Sequence, residues 1–152
     1  MRKIFIGADS AGFALKEEIK VYLKDKGYDV CDLGTDSDAS CHYPIFAKAV
    51  CENVKKNLGD SYGILICGTG IGMSIVANKV KGIRCGHCHD VFSAKMTRLH
   101  NDANVLALGE RVVGPGLMVE IVDAFLSTEF SFDERHERRV AKIKAVEEEN
   151  FK

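Results

Sequence analysis

Apolar residues along this chain recur in two rhythms that alternate. The run Lys3-Ile-Phe-Ile-Gly-Ala8 is short, β-branched and aromatic, and Leu15, Ile19, Tyr22 and Leu23 follow at helical spacing until Gly27. This pattern predicts a strand and then a helix. The unit recurs with a strand at 29–33, a helix opening at Pro44, where proline's missing N–H costs nothing, and a strand at 63–67. A helix at 71–80, a strand at 83–86, a helix at 90–100 and a strand at 104–108 continue the alternation to five strands. Short apolar strands separated by helices predict right-handed crossovers and a three-layer α/β fold. Its centre is a doubly wound, Rossmann-like parallel sheet of five strands covered on both faces. The common order for such a sheet, 2-1-3-4-5, opens a crevice at the carboxyl ends of strands one and three.

Beyond the fifth strand, Leu117, Ile121, Val122 and Phe125 mark a further helix. The charged segment 131–149 keeps only Val140, Ile143 and Val146 as an apolar stripe. A helix this polar is expected on the surface or across a partner subunit. No repeat, low-complexity tract or linker is visible, so 1–152 reads as a single domain.

Composition changes this picture little. The chain has 152 residues, 46% hydrophobic and 28% charged, and a net charge of −1, so no global field favours nucleic acid. No apolar run approaches the roughly 18 residues of a membrane span, and the first residues enter a strand pattern instead of a signal peptide. A cytoplasmic protein is expected, with no membrane partner. Six cysteines are present, yet Cys67 and Cys85 lie in apolar segments and a chain of this size needs no staples, so reduced thiols are expected.

The chemistry concentrates in GILICGTGIGMS, residues 63–74, where an apolar strand ends in a thiol and three alternating glycines lead into a helix. A nucleoside-triphosphate loop would place Lys after its last glycine, and here Met73 follows Gly72. The dinucleotide fingerprint would need a glycine at 73 and usually follows the first strand. What remains is a glycine-rich turn whose N–H groups suit a phosphate or a developing oxyanion, or else a tight turn that binds nothing. Cys67 at its mouth is either a small core residue or a thiol whose pKa the helix dipole lowers enough to make a base. Asp9 and Cys67 end strands one and three, so two reactive side chains meet where folds of this kind bind ligands. A receiver-like phosphoacceptor domain shares the strand order but would carry an aspartate at the end of strand three.

Four stretches together make the chain recognisable: GADSAGFALKEEI at 7–19, GILICGTGIGMSIVANKVKGIR at 63–84, CHDVFSAKMTRLHNDANVLALGERVVG at 88–114 and ERHERRV at 134–140. In this order, over nearly the whole chain, they resemble the type B ribose-5-phosphate isomerases. These fall within the sugar-phosphate isomerase family that includes galactose-6-phosphate isomerase. The resemblance implies interconversion of ribose 5-phosphate and ribulose 5-phosphate through an enediol, in the pentose phosphate pathway. It implies neither metal nor cofactor, and a homodimer or tetramer with sites between subunits. Cys67 then matches the general base that takes the C2 proton, with oxyanion donors from Gly68, Gly70 and Gly72 and a contribution from the Asn101 region. His100 and Thr69 match the pair that opens the furanose ring, work suited to a side chain that both gives and takes protons near neutrality. Arg135 and Arg139, four apart on one helix face, match phosphate-binding arginines; by itself ERHERR reads as a solvated charge run. Arg111, Asp9 and Tyr43 match positions facing the sugar.

Three features depart from the family or distract from it. Ser10 stands where the family commonly has histidine after the strand-one aspartate, which removes or replaces one substrate contact; His42, before Tyr43-Pro44, is a candidate replacement. This leaves galactose or allose 6-phosphate as alternative substrates, and a non-catalytic sugar-phosphate-binding module as a further alternative. Some relatives use a glutamate base on the same loop, but Met73 places this chain with the cysteine type. Finally, CGHCH at 85–89 carries a disulfide-exchange pattern and zinc-ligand residue types. A thioredoxin-like protein would place such a pair after an early strand opposite a cis-proline, and the only prolines are Pro44 and Pro115. Redox and zinc functions are therefore not expected.

Overall fold

The computed structural model describes residues 1–151. Five strands form one all-parallel sheet: β1 (Lys3–Ala8), β2 (Val30–Asp32), β3 (Ser61–Cys67), β4 (Cys85–His87) and β5 (Val105–Gly109). Six helices connect or follow them: α1 (Phe13–Asp25), α2 (Tyr43–Lys56), α3 (Ile71–Ala77), α4 (Val91–Asn101), α5 (Glu110–Ser127) and α6 (Glu134–Asn150). Among the described residues no helix is long and apolar enough to cross a membrane.

The strand order is β2-β1-β3-β5-β4, which corrects the expected 2-1-3-4-5 at one end of the sheet. Burial explains the exchange. β5 reads VLALG and is buried at all five residues, so it needs a neighbour on each side, whereas β4 is three residues long and ends in the exposed His87. The longer apolar strand takes the interior place and the short one the edge. The crevice between β1 and β3 is unaffected, because Ala8 still pairs with Ile66.

Side chains alternate across the sheet and build two cores. Ile4, Ile6, Ala8, Ile64 and Ile66 face Leu15, Ile19 and Leu23 of α1, Ala94 of α4 and Met118, Ile121 and Phe125 of α5. Phe5, Leu65 and Cys67 face Val50 and Val54 of α2 and Met73 and Ala77 of α3. Cys67 thus points toward the α2 and α3 layer. Pro44 lies in the first turn of α2 as its position predicts. The helix expected around 117–125 begins earlier, at Glu110, and is broken at Gly114 (φ 67°) before Pro115. The charged C-terminal segment is helical as expected. Of α6, only His136 and Val140 are buried, while Ile143 and Val146 are exposed. Its far end is tied to its own chain: Gly82 N–H donates to Glu147 at 2.6 Å, and Lys81 pairs with Glu148.

Candidate active site

The register that pairs Ala8 with Ile66 sets Asp9 beside Cys67 at the carboxyl edge of the sheet. Asp9 Oδ1 accepts the N–H groups of Ala11 and Gly12 at 3.0 and 3.2 Å, which folds Ser10 into a single 3-10 turn and commits one carboxylate oxygen to holding it. Beneath this turn Lys16, fully buried, bonds Asp32 Oδ2 at 2.7 Å and the Thr35 carbonyl at 2.6 Å. The loop after β2 is thereby drawn against the end of β1. Gly34 sits so close that a Cβ there would lie 2.5 Å from Ala8 N.

Cys67 is buried, 5% exposed, and its Sγ accepts the Gly70 N–H at 3.0 Å. Gly70 adopts φ 77°, a left-handed conformation that glycine reaches at no steric cost, and this turns its N–H back onto the sulfur. The amide expected to stand open for an oxyanion is therefore already engaged with Cys67. Thr69 is exposed at the rim, its Oγ1 3.3 Å from Ile71 N. The ring of Tyr43, at the start of α2, fills the space a side chain at Gly72 would need, with Cζ 2.5 Å from a Cβ built there. Arg111, in the first turn of α5, bonds the Gly68 carbonyl through its own N–H at 3.1 Å and lays its guanidinium over Gly68. His42 is exposed next to Tyr43 and makes no capping bond to α2.

The remaining expected residues lie elsewhere. α4 starts at the carboxyl edge and runs back, so His100 and Asn101 in its last turn stand at the amino edge. There the chain turns at Asp102 into β5. The strand between them and Gly109, which pairs with Cys67, spans about 17 Å at the usual rise per residue. His100 stacks on the buried His136 with ring centroids 4.4 Å apart. Arg135 and Arg139 are exposed on α6 on either side of His136 in sequence, and both charges bear on it. Burial first, then His100 and Arg135, hold the His136 imidazole below its ordinary pKa, and its Nδ1 lies 2.6 Å from Ser131 Oγ. One chain therefore gathers Asp9, Ser10, Tyr43, Cys67, the loop 68–72 and Arg111 at one edge of the sheet. It gathers His100, Asn101, Arg135 and Arg139 at the other. A cleft of about 590 Å³ also opens at the amino edge, lined by Tyr62, Arg84, Arg98 and α6 residues, and includes neither Cys67 nor His100.

Nearly the whole chain, residues 4–143, matches the model of the Ribose/Galactose Isomerase family. The chain belongs to that family. It is 47% identical over 148 residues to ribose-5-phosphate isomerase B of Escherichia coli, covering 97% of this chain and 98% of that one. It resembles the solved structure of Clostridium thermocellum ribose-5-phosphate isomerase B with a TM-score of 0.93 and 52% identity, over 97% and 98% of the two chains. The Mycoplasma genitalium ribose-5-phosphate isomerase B, solved with bound ribulose-5-phosphate, gives 0.93 at 44% identity, over 97% of each. The five-stranded α/β architecture of this family member is that of these isomerases.

The motif CGHCH takes a different form from its redox or zinc reading. Cys85 packs into the core under α2 and α3 and Cys88 into the opposite one, as residues three apart near a strand must, so the two thiols cannot meet. Burial pushes Cys51 and Cys88 up to about 12 and about 11 and Cys85 well above its ordinary value, which leaves them unreactive. The two histidines of this motif were passed over in sequence, although His87 reaches the glycine loop and His89 the end of β5. His87 Nε2 lies 2.8 Å from the Thr69 carbonyl, and His89 Nε2 accepts the Gly109 N–H at 3.2 Å. Their position at the carboxyl end of a strand neighbouring β5 was the available signal.

Proposed function

We infer that this protein is an aldose–ketose isomerase interconverting ribose 5-phosphate and ribulose 5-phosphate through an enediol, in the pentose phosphate pathway. The observation that carries this reading is the Cys67 sulfur, held by the Gly70 N–H at the end of β3 beside Asp9, in a chain of this family. A thiolate there takes the proton from C2 of the open aldose while the carbonyl electrons at C1 move onto oxygen. Returning that proton to C1, with the O2 proton passing to O1, yields the ketose. Every step moves a proton, so no electron carrier is called for. Asp9, Ser10, Tyr43 and Arg111 bind the sugar around the sulfur. His42 stands where it can supply the contact that Ser10 is too short to make.

Ring opening requires a proton to pass between the ring oxygen and the anomeric hydroxyl, the work of Thr69 and His100, and the phosphate requires Arg135 and Arg139. Since His100 and these arginines occupy the far edge of their own chain, a working site takes Cys67 from one protomer and the histidine and arginines from its partner. A two-fold homodimer supplies two such sites. Ile71 and Ile75, a turn apart on α3 and each about half exposed, offer apolar surface beside the loop for that partner. Such an enzyme works in the cytoplasm, where its thiol stays reduced.

The test is to follow ribulose 5-phosphate formed from ribose 5-phosphate by the parent protein, by Cys67→Ala, by His100→Ala and by an equal mixture of the two variants. Each variant alone is expected to be inactive. Random re-association makes half the dimers mixed, each with one intact site, so about a quarter of the parent activity returns. An inactive mixture would place the site within one chain. Galactose and allose 6-phosphates, assayed in parallel, are expected to turn over more slowly. A parent protein that binds these sugars and turns none over would be a binding module instead.

A further inference from the structure

The peptide between Thr69 and Gly70 has its two polar ends fixed by different partners. Its N–H, on Gly70, points at Cys67 Sγ at 3.0 Å, and its carbonyl, on Thr69, meets His87 Nε2 at 2.8 Å. In a trans peptide these two groups point in opposite directions, so whatever fixes the carbonyl also aims the N–H. The peptide needs such an anchor. Gly70 at φ 77° carries no side chain to restrict it, and a rotation about this glycine-flanked unit would exchange N–H for carbonyl at the sulfur. A carbonyl there would face the thiolate with its negative end.

The proton on His87 follows from its partner. A carbonyl only accepts, so Nε2 of His87 carries hydrogen whether the ring is neutral or charged. The ring stands where a side chain at position 70 would otherwise be, with Nε2 2.9 Å from a Cβ built on Gly70. Its orientation is set in turn by His89, whose ring meets it edge-on at 4.5 Å and 80°. His89 accepts the Gly109 N–H through Nε2, so that nitrogen is bare. Burial and the neighbouring His87 hold the His89 pKa below its ordinary value, in keeping with that neutral form, against the Thr69 carbonyl and Asp90, which act the other way. The loop after β3, the end of β4 and the end of β5 are thus joined through two imidazoles.

We propose that His87 is a positioning residue for the base: by donating to the Thr69 carbonyl it keeps the Gly70 N–H on the Cys67 sulfur and so stabilises the thiolate. The proposal rests on Cys67 being the base, and one of its readouts is independent of turnover. The thiolate of Cys67 is titrated by its ultraviolet absorbance, as the difference between each protein and the same protein carrying Cys67→Ala. In parallel, kcat and KM for ribose 5-phosphate are measured across pH.

His87→Leu removes the donor, while His87→Gln places an amide N–H close to where Nε2–H stood. The leucine variant is expected to move the thiolate midpoint and the acid limb of the pH profile upward by about half to one pH unit. Its kcat should fall about three- to tenfold with KM within about twofold, the scale of one lost neutral hydrogen bond. The glutamine variant is expected to restore the midpoint and kcat to within about twofold of the parent. A parent-like midpoint in the leucine variant overturns the proposal, and so does a glutamine variant as impaired as the leucine one. Should Cys67→Ala itself retain full turnover, the base assignment fails, and the absorbance titration still decides what His87 does to the sulfur.

Discussion

The two edges of the sheet are built from the same strands and do opposite things with them. At the carboxyl edge the backbone is drawn tight. Gly34 closes on Ala8, Gly70 turns left-handed onto Cys67, and Tyr43 and Arg111 occupy the space that side chains at Gly72 and Gly68 would take. At the amino edge the surface is open, with an exposed arginine pair on a polar helix, a stacked histidine pair and a wide cleft. The difference teaches where each edge keeps its function. The first holds the Cys67 sulfur by local geometry within one chain. On the function proposed above, the second holds groups that gain a role only beside the sulfur of another copy.

That contrast can be broken most directly at the sulfur. Cys67→Ala is expected to lower kcat/KM about a thousandfold, as removal of a general base does, and to lower stability by about 1 kcal/mol, because the buried Gly70 N–H loses its acceptor. A variant that lost stability but kept its turnover would make Cys67 a packing residue of the tight edge. Next in size, Lys16→Met is expected to cost about 3 kcal/mol in urea unfolding, because it strands part of the charge of Asp32 beneath the loop after β2. An undisturbed midpoint would show that this edge owes its shape to the glycines alone. At the open edge, Arg135→Ala and Arg139→Ala are each expected to raise KM about tenfold or more, with little change in stability, since both side chains are exposed. A change confined to kcat would remove them from the phosphate.

The smallest effect compares the edges through their histidines. His89 at one and His136 at the other both have pKa values held below the ordinary 6.5 by burial and by a neighbouring histidine. Between 6.5 and those lower values the unfolded chain binds protons that the folded chain refuses, so stability is full above 6.5 and declines as pH falls. Urea midpoints measured from pH 7.5 to 5 should fall, and His136→Gln should flatten part of that slope. A slope unchanged by that substitution would assign the acid sensitivity to the carboxyl edge.

Much of this was legible in the sequence, for identifiable reasons. Strand and helix rhythms located every element of the sheet, and an apolar run ending in Cys67 placed the sulfur at a strand end. The order of β4 and β5 was not legible, because short apolar runs declare that they are strands without naming their neighbours. Lys16 was missed since a lysine inside an amphipathic helix reads as solvent-facing, and here its charge is turned inward onto Asp32. The role of His87 was hidden by the cysteines on either side of it, whose spacing suggests redox chemistry until the strand sets them on opposite faces. The separation of His100 from Cys67 was already implied by the expected parallel sheet, whose crossover helix must run back from the carboxyl to the amino edge and so carries its last turn away from the sulfur.

The outermost strands, β2 and β4, are each only three residues long. A newcomer strand would find almost no unpaired backbone to zip onto, so copies of this chain have little means of growing into a continuous ribbon. Side-chain surfaces, matched by shape and charge, are what remains for any partner to meet.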